Sequence, residues 1–147
     1  MAQITLKELS LLWWGSKGNL GKAGAGGVIV NPYGEKTHSF AWGIGHASNI
    51  QAEALALFQG LKILKDLKID EANVIGDSQI IINAMISKSL VFDLKLARLM
   101  SRIKGLGKYF QKLNYFHVLR ALNKEADIEA NKVALLSAGV KKKDEEE

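Results

Sequence analysis

The order of strand-like and helix-like segments constrains the fold of this chain most, and it changes near residue 48. Before that point, apolar segments over 4–14, 23–30 and 35–45 are separated by turn residues, which predicts an antiparallel meander. After it, helical and strand-like segments alternate, as in an α/β sheet covered by helices. The order βββαβααβα therefore predicts a mixed sheet with helices on its faces.

The helices are recognised by apolar residues that recur every three or four positions. The first begins with Ser48 and Gln51 in the spacing of a capping box. A short apolar strand then ends at Asp77. The remaining predicted elements are a helix over 78–86, a longer helix over 92–110 that Gly105 and Gly107 weaken, a strand over 114–119 and a final helix over 123–139.

Composition limits the class of protein. With 147 residues, 48% of them hydrophobic and 24% charged, the chain is predicted to form one domain over residues 1–140, followed by a charged, disordered tail over 141–147. The absence of cysteine excludes disulfides and thiolate metal sites. No apolar run reaches the roughly 18 residues of a membrane span, so an intracellular setting, cytoplasmic or nuclear, is expected. The net charge of +5 favours anionic partners.

Three carboxylates stand at the ends of predicted elements, where sites tend to form at a sheet edge. Glu53 lies in the first turn of the first helix, Asp77 ends the fourth strand, and Asp127 lies in the first turn of the last helix. Each also has a plain structural explanation, as a helix cap or as an acid that favours the helix dipole. Together, three convergent carboxylates would suit a hard divalent cation such as Mg²⁺.

Four blocks of the chain resemble successive segments of type 1 ribonuclease H, specifically the reverse-transcriptase-like domains of plants that are related to retroelements. They occur in the family order and cover nearly the whole chain: "GSKGNLGKAGAGGVIV", "SNIQAEALALFQGL", "VIGDSQIIINAM" and "NKEADIEANKVA". The resemblance implies a ribonuclease H-like α/β fold whose mixed five-stranded sheet has the order 3-2-1-4-5, with strand 2 antiparallel. It also implies cleavage of the RNA strand of RNA/DNA hybrids with two Mg²⁺ or Mn²⁺ ions, about 4 Å apart.

The resemblance assigns metal-binding and catalytic roles to Glu53, Asp77 and Asp127, but the fourth carboxylate of the family is absent. Its place at the end of the first strand falls on Trp13, and Trp14 replaces the glycine that follows in the family. Loss of this bridging anion is expected to cripple a two-metal site. Binding of Mg²⁺ or Mn²⁺ is therefore predicted to be weak or absent.

Further residues match functional positions of the family. His117, ten residues before Asp127, corresponds to a histidine that assists proton transfer or product release, although a structural histidine is an equally simple interpretation. The positions predicted to contact nucleic acid are Ser16, Gly18 and Asn19 in the glycine-rich loop, Asn49 and Gln79 at helix starts, and Lys95, Arg98 and Arg102 on a basic helix. The basic residues also fit a solvated helix face.

Three functions follow from these residues. The favoured one is a degenerate ribonuclease H domain that binds RNA/DNA hybrid or duplex RNA through shape and phosphates, with little or no cleavage. The second is a weakly active, metal-dependent ribonuclease H that uses Glu53, Asp77 and Asp127. The third is a protein-interaction module in which Trp13 and Trp14 are buried or interface anchors.

Overall fold

The computed structural model describes residues 9–17, 22–33, 35–86, 94–118 and 141–145. Within these residues the elements in chain order are β1 (Leu9–Lys17), β2 (Lys22–Val30), β3 (Lys36–His46), α1 (Asn49–Asp66), β4 (Glu71–Gly76), α2 (Gln79–Ile86), α3 (Leu94–Gly107), β5 (Lys112–His117) and β6 (Lys141–Glu145). The predicted final helix over 123–139, with Asp127, lies outside the described residues.

All of these strands belong to one sheet, in the order β5-β4-β1-β2-β3-β6. Strand β2 is antiparallel to both β1 and β3, whereas β4 is parallel to both β1 and β5. The sheet therefore contains the predicted order 3-2-1-4-5 with an antiparallel second strand, and this prediction is confirmed.

Strand β6 differs from the prediction of a disordered tail over 141–147. Residues 141–145 pair antiparallel with β3, with Lys141 opposite Trp42 and Glu145 opposite His38. The physical reason is that β3 would otherwise present an edge of unpaired backbone groups, and an extended segment can satisfy them through its own backbone whatever its side chains are.

The meander is shaped by small residues and by a polar turn. Residues 23–29 of β2 are buried between β1 and β3, and the run of glycine and alanine there allows close approach. The turn that leads to β3 is closed by Asn31, whose side-chain oxygen accepts hydrogen bonds from the backbone N–H groups of Tyr33 at 3.0 Å and Glu35 at 2.9 Å.

Helix α1 covers the central strands and begins as the sequence predicts. The Ser48 hydroxyl accepts a hydrogen bond from the backbone N–H of Gln51 at 3.1 Å, and the Gln51 side chain accepts one from the Ser48 N–H at 3.0 Å. The predicted capping box is thus confirmed. Farther along, α1 lies directly on β1, because a Cβ atom at Gly60 would come within 2.6 Å of the Leu11 side chain.

Helix α3 packs beside α1 through Leu96, Met100 and Ile103, all of which are buried. It ends at Gly107, and Gly105 lies inside it at a position where an added Cβ atom would meet only open space. None of the helices in the described part of the chain is long and apolar enough to cross a membrane.

Candidate functional site at the ends of β1 and β4

The parallel pairing of β1 with β4 and of β4 with β5 places several predicted site residues side by side near one edge of the sheet. The prediction that Trp13 ends the first strand is wrong, because β1 continues to Lys17 through its pairing with β2, and only its pairing with β4 stops at Trp13. In the paired register Trp13 of β1 lies opposite Gly76 of β4, and Gly76 lies opposite His117 of β5. Asp77 directly follows Gly76. In open α/β sheets, ligands bind at this carboxyl edge of the strands.

Asp77 and His117 are in direct contact. A ring nitrogen of His117, Nε2, lies 3.2 Å from the backbone carbonyl oxygen of Asp77. Because a carbonyl oxygen only accepts, Nε2 is the donor in this hydrogen bond, and in the neutral ring the other nitrogen is the acceptor. The backbone N–H of Val118 also donates to the carbonyl of Gly76 at 2.9 Å, which ties the ends of β4 and β5 together.

The first turn of α2 is capped by the residue after Asp77. The Ser78 hydroxyl accepts from the N–H of Ile81 at 3.4 Å, and the Ser78 carbonyl accepts from the N–H of Ile82 at 3.0 Å. Gln79 is the first helical residue and is exposed. The structural explanation of Asp77 was that it caps this helix. For the N–H of Ile81, Ser78 supplies the cap instead.

Helix α1 brings two more predicted residues to the same edge, since β3 and β4 both run parallel to β1 and both end there. Asn49 is the first residue of α1 and is exposed. Glu53 is the fifth residue and is half-buried. The prediction that Glu53 lies in the first turn is wrong, because the capping box sets the helix start at Asn49 and leaves the first turn without an acid.

Trp13 is wholly buried at this edge, with 0% of its surface exposed. It shares a face of β1 with Leu11, two residues earlier, and Leu11 packs against α1, so the indole lies on the α1 side of the sheet. A Cβ atom at Gly76 would lie 2.5 Å from both Cε2 and Cζ2 of the indole. The ring therefore occupies the space above the last residue of β4, immediately before Asp77, and Trp13 is a core residue rather than an exposed anchor.

A metal pair would need several oxygen donors that converge at this edge of the sheet. Among the described residues, no group of three or more histidine, aspartate or glutamate side chains is placed to hold a metal ion. Asp127 lies outside them. Trp13 adds no oxygen donor at the position where the resemblance implies a bridging carboxylate. Weak or absent binding of a metal pair stays a prediction.

The three basic residues of α3 that are predicted to contact nucleic acid are exposed, as a phosphate-binding role requires. Lys95, Arg98 and Arg102 all lie on its surface. Lys95 also lines a pocket of about 280 Å³ with His46 and Gln51, between the end of β3 and the starts of α1 and α3. The sequence interpretation missed His46, whose only signal is its place two residues before the Ser48 cap.

The predicted glycine-rich loop is described only in part. Ser16 belongs to β1, where its backbone pairs with Gly24 of β2. Gly18 and Asn19 lie outside the described residues, so their contact with nucleic acid stays a prediction.

Comparison with known proteins points to one family. A family model described as reverse transcriptase-like matches residues 15–133. Ribonuclease HI of Halobacterium salinarum is 34% identical over 116 residues, which are 79% of this chain and 58% of that protein. A bifunctional protein of Mycobacterium tuberculosis is 34% identical over 118 residues, 80% of this chain and 32% of its own length. The chain thus spans less than two thirds of either protein.

Solved structures agree with these sequence matches. The crystal structure of the Halobacterium salinarum ribonuclease H1 has a TM-score of 0.80 at 30% identity and covers 85% of this chain and 96% of its own. The crystal structure of LC11 ribonuclease H1 in complex with RNA/DNA hybrid has a TM-score of 0.79 at 27% identity and covers 86% and 96%. Both sequence and fold therefore point to ribonuclease H.

Proposed function

This chain belongs to the reverse-transcriptase-like, type 1 ribonuclease H family, and we propose that it is a hybrid-binding domain of that family with little or no cleavage activity. The retroelement origin and plant source inferred from its four sequence blocks are part of this proposal. Its partners are RNA/DNA hybrid or duplex RNA.

The observation that carries the loss of cleavage is the position of the Trp13 indole. The ring is fully buried, and it lies on Gly76, next to Asp77. A carboxylate at this position would contribute a negative charge and two oxygen donors, whereas an indole contributes neither. Glu53, Asp77 and Asp127 would be the remaining oxygen donors. Oxygen-donor sites owe much of their affinity to charge count, so affinity for Mg²⁺ or Mn²⁺ is expected to fall.

Hybrid binding needs none of these metal ligands. The residues that support it are exposed at the same edge or on the neighbouring helix: Asn49, Gln79, Lys95, Arg98 and Arg102. Side-chain amides at helix starts can reach a shallow minor groove, and lysine and arginine bind phosphates without reading the sequence. The LC11 relative, with 27% identity, has been crystallised with an RNA/DNA hybrid, which gives a precedent for this mode in a protein of similar fold.

A second candidate function is weak, metal-dependent cleavage that uses Glu53, Asp77 and Asp127. The contact between Asp77 and His117 favours it, because it retains an acid and a potential proton carrier at the carboxyl edge of the sheet. In that case His117 would be a catalytic residue, and its Nδ1 would be the atom that takes or gives the proton while Nε2 donates to the Asp77 carbonyl.

Equilibrium binding tests the main proposal. Fluorescence anisotropy with a labelled RNA/DNA hybrid in EDTA is expected to show binding by the wild type, because phosphate and groove contacts need no metal. The variant Asn49→Ala with Gln79→Ala should bind more weakly. Asn83→Ala, which removes an exposed amide elsewhere on α2, should bind as the wild type does. Absence of hybrid binding by the wild type would contradict the proposal.

A further inference from the structure

A cluster of cations and aromatic rings lies on the outer surface of α1 and α3, away from the carboxylate edge. The Nζ atom of Lys62 is 5.7 Å from the centre of the Phe58 ring, and the Arg102 guanidinium carbon is 5.4 Å from the same centre. The Nζ atom of Lys65 is 5.3 Å from the centre of the Tyr109 ring. These five residues are called the cation–aromatic face below.

Helix geometry explains why the five residues form one surface. Phe58, Lys62 and Lys65 stand at positions i, i+4 and i+7, so they share one stripe of α1. Arg102 of α3 faces Phe58, and Tyr109, just after α3, faces Lys65. Helices α1 and α3 therefore run in the same direction, and they bring their cations together from two sides.

The cations of this face are accessible to an anion that approaches from solvent. Lys62, Lys65 and Arg102 are all exposed. A ring attracts a cation through its quadrupole but carries no net charge, so the positive field outside the cluster is not cancelled as it is in an ion pair. The sequence between Phe58 and Leu67 holds one acid, Asp66, which leaves an excess of positive charge.

Contact with a ring also restricts the conformations of a cationic side chain before it binds an anion. A free lysine or arginine side chain loses rotamer entropy when it is fixed in one conformation. A side chain already held over a ring loses less when an anion arrives, and its N–H groups on the side away from the ring remain available as donors. The cation–aromatic face therefore has the properties of a partly preorganised anion site.

We propose that the cation–aromatic face binds the phosphodiester backbone of a nucleic-acid duplex. Proteins that hold single strands stack bases on open aromatic faces. Here Phe58 already has Lys62 and Arg102 within cation–π distance of its ring, so base stacking on it would compete with both. Backbone contact without base contact is the mode that fits a duplex, in which the bases are stacked inside.

This inference rests on the proposed function, since the duplex is the hybrid held at the carboxylate edge, and it extends the footprint of that hybrid. Lys62 and Lys65 lie nine and twelve residues after Glu53, which corresponds to about 13–18 Å along the axis of α1. If the duplex backbone runs along α1 from the edge, this distance corresponds to roughly four to five nucleotides at about 3.4 Å each.

Hybrid binding by the full chain at several salt concentrations tests the proposal. The double variant Lys62→Gln with Lys65→Gln should bind an 18-base-pair hybrid several-fold more weakly, with a log-log salt slope smaller by up to about 1.8, or 0.9 for each lost contact. The matched control, Lys36→Gln with Lys112→Gln, removes the same charge from β3 and β5 and should keep the wild-type slope. Circular dichroism melts establish that both variants are folded.

The outcomes separate this inference from the proposed function. If the wild type binds hybrid and the folded double variant keeps the same affinity and salt slope, the cation–aromatic face does not bind phosphates. The proposed function then still stands. A wild type that does not bind hybrid overturns both. The double variant could instead lose binding to a poly-glutamate peptide and bind hybrid as the wild type does. That result would also overturn the inference and assign the face to an acidic protein partner. If the double variant loses as much affinity for single-stranded DNA of the same length as for the hybrid, the choice of a duplex is contradicted.

Discussion

The indole of Trp13 covers the backbone of Gly76, the residue that pairs with it across the parallel strands β1 and β4. A Cβ atom at position 76 would lie 2.5 Å from Cε2 and Cζ2 and 2.8 Å from Nε1 of the ring. Glycine at position 76 and tryptophan at position 13 are therefore complementary in shape. Trp13 lies in the core, and its ring contacts the residue directly before Asp77.

The first prediction tests this packing. Gly76→Ala should destabilise the protein by about 1–3 kcal/mol, because an added methyl group must displace the buried ring. Gly105→Ala is the matched control. It adds the same methyl group in open space inside α3 and should stabilise the protein by about 0.5–1 kcal/mol. Urea unfolding measures both, and equal effects of the two substitutions would contradict the contact.

The second prediction concerns metal. Replacing Trp13 with Asp and Trp14 with Gly recreates the strand end that the resemblance implies. Loss of a buried tryptophan costs about 3–5 kcal/mol, and a buried unpaired carboxylate adds to that cost. A bound cation would offset part of it, so Mg²⁺ should raise the melting temperature of this variant more than that of the wild type.

The control for this experiment is Trp13→Asn with Trp14→Gly, which removes the same two rings without adding charge. Its melting temperature should respond to Mg²⁺ less than that of the Asp variant. A folded Asp variant with no metal-dependent stabilisation would show either that other ligands of the site are also lost or that Trp13 does not occupy the family's carboxylate position.

The third prediction concerns α3. Neutralising Lys95, Arg98 and Arg102 together should weaken hybrid binding and flatten its log-log salt dependence by up to about 0.9 for each lost phosphate contact. Isothermal titration or anisotropy across a salt series measures the slope. An unchanged slope would show that these three side chains make no phosphate contacts and only solvate the helix surface.

The fourth prediction concerns alkaline pH. Burial raises the pKa of Tyr115 to about 12 from its usual value of 10.0, because the charged phenolate is poorly solvated there. The folded state thus holds this proton more tightly than the unfolded state. The resulting stability is fully present below pH 10 and is lost as the pH rises from about 10 to 12. Urea unfolding between pH 8 and 11 should show a steeper loss for the wild type than for Tyr115→Phe.

Local patterns predicted the parts of the fold that depend on neighbours in sequence. The side chains of Ser48 and Gln51, three residues apart, each accept a hydrogen bond from the backbone N–H of the other residue. The start of α1 therefore follows from spacing alone. The strand order came from the family resemblance. The contact of His117 with Asp77, forty residues away in sequence, depends on the register between β4 and β5, which no local pattern specifies.

Features that depend on packing between distant elements were not predictable. The alternation in β1 indicates that Trp13 can be buried, but its match with Gly76 requires the parallel register of β1 and β4. The charged segment over 141–145 has the composition of a tail, and it forms a strand because the edge of β3 is available. Arg102 was recognised as basic, whereas its position over the Phe58 ring depends on how α3 packs against α1.

The central claim is that Trp13 disables the cleavage site while the fold and hybrid binding persist. A cleavage time course on a hybrid labelled in its RNA strand, with saturating Mg²⁺ or Mn²⁺, tests it most directly when wild type and Asp77→Asn are compared side by side. We predict that the RNA strand stays intact with both proteins, although the wild type binds the hybrid. Cleavage by the wild type that disappears in Asp77→Asn would contradict the claim.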